Sequence, residues 1–169
     1  MSASKTIIWA ACDRGGDTMC VAGGCNARRA RPPMIALDEL LARVNAAFGL
    51  RVSSFTALIE HQVAASRWRR LDTPQHIDDM EITGLVDASA FLPEALYVVT
   101  DESYDKEVGA FAVHRDDLRA FAGAYRERNG VAMFNGDTLI VGIESKLIWM
   151  FHHEGVWTLF DGRRAAMAD

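Results

Sequence analysis

TLIVGIESKLIWMFHHEGVWTLF, residues 138–160, is the stretch that decides the fold. Thr138 to Ile143, Leu147 to His152 and Val156 to Phe160 are short runs of β-branched and aromatic residues, the side chains that suit a pleated, half-buried surface. Glu154-Gly155 separates the last two runs closely enough that only a tight antiparallel connection fits. These runs form a meander. Just upstream, Asn135-Gly136 is the favoured pair of a type I′ hairpin, so Val131 to Phe134 is expected to pair with the strand that begins at Thr138.

Moving outward, Ala95 to Thr100 and Gly109 to Val113 read as two further strands, with Asp101 to Val108 a polar loop between them. Leu118, Phe121, Ala122 and Tyr125 share one face of a helix that starts near Asp116 and stops at Gly130. In the N-terminal half, Leu37, Leu40, Leu41, Val44 and Phe48 follow helical spacing, and Gly49 ends the run. Ser53 or Ser54 can cap a second helix carrying Phe55, Leu58, Ile59 and Val63, although Val52 to Ile59 also suits a strand. Residues 72–94 read as a long acidic connection with at most short helical turns. The predicted fold is α+β: an antiparallel sheet of about six strands with two or three helices packed on one face.

Residues 1–33 differ from the rest. Glycine and proline punctuation without an apolar face predicts an irregular extension, and a single domain over residues 34–169. The apolar run from Thr6 to Cys12 is too short for a signal core or a membrane span. All three cysteines, Cys12, Cys20 and Cys25, precede residue 26, so no disulfide framework covers the domain and a reducing, cytoplasmic setting is expected. A zinc site would need a fourth ligand from far away, so no metal and no cofactor is expected.

Charge carries the functional reading. The chain has a formal net charge of −5, which disfavours direct nucleic-acid binding. Residues 71–113 hold ten carboxylates against Lys106 alone. Asp78, Asp79, Glu81, Asp101, Glu102 and Asp105, with Tyr104 as an aromatic anchor, are therefore the expected contact set for a basic protein partner. The concrete version is an immunity or antitoxin-type protein that occludes a nuclease-like toxin. Arg67-Trp68-Arg69-Arg70 pairs cations with an aromatic ring, but one such cluster beside an acidic stretch is a poor nucleic-acid footprint.

No P-loop, dinucleotide fingerprint or nucleophile elbow occurs, so the chain reads as a binding protein before it reads as an enzyme. The alternative catalytic set is His152, His153 and Glu154. Neighbouring residues of a strand point to opposite faces, so the two imidazoles can converge only where the strand has already ended in the turn. A third alternative is a small-molecule-binding regulatory domain that uses the sheet face opposite the helices.

Overall fold

In the computed structural model, residues 32–65, 68–72, 78–105 and 108–165 are described. The sheet has seven strands, all antiparallel: β1 (Met34–Ile35), β2 (Arg69–Arg70), β3 (Ala95–Val99), β4 (Ala110–His114), β5 (Thr138–Gly142), β6 (Leu147–His152) and β7 (Val156–Asp161). Their order across the sheet is β1-β4-β3-β5-β6-β7-β2. The meander β5-β6-β7 stands as expected, and β3 joins its free side through β5.

The helices are α1 (Leu37–Phe48), α2 (Phe55–Ala65), α3 (Asp79–Leu85), α4 (Asp101–Asp105) and α5 (Leu118–Asn129), followed by one short turn at Gly162–Ala165. α1 buries Leu40, Val44 and Phe48 and ends at Gly49, whose φ of 69° is the left-handed conformation that relieves a helix end. The Ser54 hydroxyl accepts from the Ala57 amide at 2.9 Å and caps α2, so that Phe55 to Ile59 is helix and Val52 to Ser54 lead into it. α3 is capped by Asp78, whose carboxylate accepts from the Met80 and Glu81 amides at 2.7 and 3.3 Å.

The helices do not share one face of the sheet. Leu96, Val98, Phe111, Val113, Ile140, Leu147, Trp149 and Phe151 pack with Ile82 of α3 and with Leu118, Phe121 and Tyr125 of α5. The alternate strand residues Val99, Ala110, Leu139, Val141, Ile148 and Met150 pack with Leu40, Val44, Phe48, Phe55 and Leu58 of α1 and α2. The fold is a three-layer α+β arrangement, and its physical mark is that every residue of β5 is buried. A sheet covered on both sides loses the alternation of polar and apolar residues seen where one side faces water. The sheet face proposed for small-molecule binding is therefore filled by α1 and α2.

Two local expectations are also corrected. Residues 131–134 form no strand, and Asn135-Gly136 turns no hairpin. Met133 and Phe134 instead bury their side chains in the α3/α5 core, and their amides donate to the Asp79 carboxylate at 2.8 and 3.0 Å. That carboxylate provides the acceptors a partner strand would have supplied. Residues 101–105 are a helical turn, not a loop, tied by the Ser103 amide to the Thr100 carbonyl. The strands missed by sequence are the two-residue edges β1 and β2. The expected 1–33 extension lies outside the described residues up to residue 31, whereas the Pro33 carbonyl already accepts from the Ala112 amide at 2.8 Å. No helix among the described residues is long and apolar enough to cross a membrane.

Candidate functional site

The connection 131–137, between α5 and β5, is where both sets of expected functional residues meet. From one side comes α3, whose Asp79 holds the Met133 and Phe134 amides. From another comes α4: a Cβ at Gly136 would collide with the Asp101 carboxylate, so that side chain lies directly against the glycine. Asp137 ends the connection and faces the turn after β6.

The expected contact set is divided by burial. Asp78 and Glu81 are exposed at the start of α3, and Asp101 and Tyr104 are exposed on α4. Asp79 is half-buried and committed to the 133–134 amides. Glu102 lies in the interior, only 8 % exposed, and accepts from the Tyr125 hydroxyl at 3.1 Å. The Tyr125 oxygen also lies 2.9 Å from Thr100 Oγ1, and the Ser103 hydroxyl accepts from the Thr100 amide at 3.0 Å. These bonds pin α4 to the end of β3. A helical turn places Asp101 and Tyr104 outward and Glu102 and Ser103 inward, which a loop reading could not distinguish. Asp105 lies on the same turn, and its side chain is outside the described residues.

Tyr104 is 42 % exposed, among the larger exposed apolar side chains. Its phenol is nonetheless pushed up to about 12, first by desolvation and then by the charges of Asp101 and Asp137. Both carboxylates therefore act on one ring. A groove of ≈ 390 Å³ runs beside this region between α3 and α5, lined by Asp78, Asp79, Met80, Ala122, Gly123, Arg126 and Ala132.

His152 ends β6, paired with Val156. His153, Glu154 and Gly155 then form a three-residue connection, closed by the Gly155 amide on the His152 carbonyl at 2.9 Å, with Gly155 at φ 74°. The strand has thus ended at His152, and the two rings come to the same side, their centroids 4.1 Å apart. They converge on Asp137, not on Glu154. His153 Nδ1 lies 2.9 Å from Asp137 Oδ1, His152 Nε2 lies 3.9 Å from it, and the His153 amide donates to the same oxygen at 3.0 Å. Asp137 was the residue that sequence reading missed. Its signal was the β5–β6 register: Thr138 pairs with Phe151, so one step outward sets residue 137 opposite residue 152.

Two members of the 67–70 cluster are packed within the fold. The Arg69 guanidinium sits over the Trp157 ring at 4.9 Å, a contact worth about 0.5–1 kcal/mol at an exposed site. Trp68 packs against the α1/α2 core, and Arg67 lies outside the described residues.

No family model, curated protein or solved structure matches this chain.

Proposed function

We propose that this protein is an interaction module that engages a basic protein partner through the region around α4, the start of α3 and the 131–137 connection. The observation that carries this reading is the exposed Tyr104 ring on α4, with the Asp101 carboxylate of the same helical turn set against Gly136 and Asp137 next in the chain. An aromatic ring rimmed by carboxylates offers a partner both an apolar anchor and charge complementarity to Lys or Arg. Asp78 and Glu81 add exposed charge at the start of α3, the helix whose Asp79 holds the same connection, and Glu102 ties α4 from within. In its most specific form the proposal is an immunity-type protein that covers the basic active face of a nuclease-like toxin, its carboxylates standing where phosphates would bind.

The test is capture of basic nuclease domains on the immobilised full chain. Retention is expected at low salt and release as salt rises toward about 1 M, where the Debye length shrinks to roughly 3 Å. The double variant Asp101→Lys/Asp105→Lys should lose retention, and Tyr104→Ala should weaken it by about 2 kcal/mol, the scale of an aromatic anchor. Retention untouched by charge reversal would remove this face from consideration.

A further inference from the structure

We propose that Asp137, His152 and His153 form a binding site for a divalent transition-metal ion of the zinc class, with three protein ligands on one side and solvent on the other. This inference shares Asp137 with the partner-binding reading but is carried by the two imidazoles, which that reading does not use. One ligand atom from each of the three residues lies within 4.8 Å of the others. A tetrahedral ion with bonds of about 2.0–2.1 Å spaces its ligand atoms by roughly 3.4 Å. The observed separations to Asp137 Oδ1, 2.9 Å from His153 and 3.9 Å from His152, lie on either side of that value.

The donor set selects the ion. Two imidazole nitrogens and one carboxylate suit Zn²⁺, Co²⁺ or Ni²⁺, whereas Mg²⁺ and Ca²⁺ take oxygen ligands. An ordinary histidine–carboxylate hydrogen bond accounts for His153; His152, whose Nδ1 accepts from the Glu154 amide, has its Nε2 3.9 Å from the same carboxylate oxygen, beyond hydrogen-bond distance. Its ring lies at 31° to that of His153, the two centroids 4.1 Å apart on the side of Asp137. A shared cation accounts for both rings. The backbone assists, because the His153 amide orients the Asp137 carboxylate from outside the coordination shell.

Exposure gives the ion a path, with the His153 side chain 56 % accessible, and keeps a coordination position open to water or to a ligand atom from another molecule. One adjustment accompanies binding. The Glu154 amide donates to His152 Nδ1 at 3.3 Å. Coordination through Nε2 places the ring proton on Nδ1, so this long bond must give way. The site is consequently one of moderate affinity, loaded when metal is available.

The experiment titrates ZnCl₂ into the metal-stripped full chain, with calorimetry for stoichiometry and imidazole ¹H–¹⁵N spectra to locate the ion; MgCl₂ is the control. One Zn²⁺ is expected to perturb the His152 and His153 ring signals together, while Mg²⁺ leaves them in place. Asp137→Asn and His153→Ala should each weaken Zn²⁺ binding about tenfold or more, since losing even an outer-shell partner costs 10–100-fold. His153→Ala, an exposed turn substitution, keeps the test decisive if Asp137→Asn fails to fold. Undisturbed His152 and His153 signals at about 1 mM Zn²⁺, well above any useful affinity, would overturn the proposal. So would binding that survives both substitutions, which would assign the metal to the cysteines or to another histidine.

Discussion

The β5–β6 hairpin is tied at each end by a carboxylate, and the two ends differ in one respect. At the 143–146 turn, Glu94 accepts from the Glu144 and Ser145 amides at 2.8 and 2.9 Å and from the Ser145 hydroxyl, and it is only 7 % exposed. At the other end, Asp137 accepts from the His153 amide and meets the two imidazoles, with its side chain 36 % exposed. Each carboxylate accepts from a backbone amide of the turn it holds. Burial makes the first a fastener, because a carboxylate removed from water depends wholly on its protein donors. The second keeps access to water, so its contribution to stability is small and it is still able to take a ligand or a partner. A carboxylate's role here follows from its solvent contact more than from its hydrogen bonds.

The largest effect should come at the closed end. Glu94→Ala leaves the Glu144 and Ser145 amides without their acceptor and is expected to cost about 3 kcal/mol in urea unfolding at neutral pH. A loss below roughly 1 kcal/mol would erase the contrast between the two ends.

Beneath α4 the open end has its own sealed network, and alkaline unfolding probes it. Burial, aided by the Glu102 charge and opposed by the Thr100 hydrogen bond, pushes the Tyr125 phenol up to about 12. A tyrosine in the unfolded chain ionises near about 10. The stabilisation from keeping Tyr125 neutral is thus complete below pH ~10 and is lost as pH rises toward ~12, by which point the loss is about 2 kcal/mol. Tyr125→Phe should flatten that decline. An unchanged alkaline profile in the variant would show that the network does not seal α4.

The smallest stability effect belongs to Asp137. Asp137→Asn should change the unfolding free energy by less than about 1 kcal/mol, as expected for an exposed charge pair, while abolishing most Zn²⁺ binding. A loss comparable to that of Glu94→Ala would make Asp137 a second fastener.

Much of the scaffold was legible. α1 and α5 announced themselves through helical spacing and the terminal Gly49 and Gly130, and β3 to β7 through compact runs of β-formers. What escaped was non-local. Met34-Ile35 and Arg69-Arg70 are too short to carry a pattern and are strands only because β4 and β7 offer them an edge. Val131 to Phe134 has the composition of a strand, but its amides are held by Asp79, more than fifty residues earlier. The two histidines were visible at once; their carboxylate was not, because it becomes their neighbour only through hairpin register.

By itself, the sequence determined where α1, α5 and β3 to β7 lie, since helix and strand periodicity and glycine stops act over a few residues. It also determined which residues carry charge. The tertiary structure alone decided that both sheet faces are covered, that Glu94 and Glu102 are interior, and that Asp137 meets His152 and His153. Burial and convergence depend on chain segments far apart in sequence, and local composition holds no record of which segments will pack together.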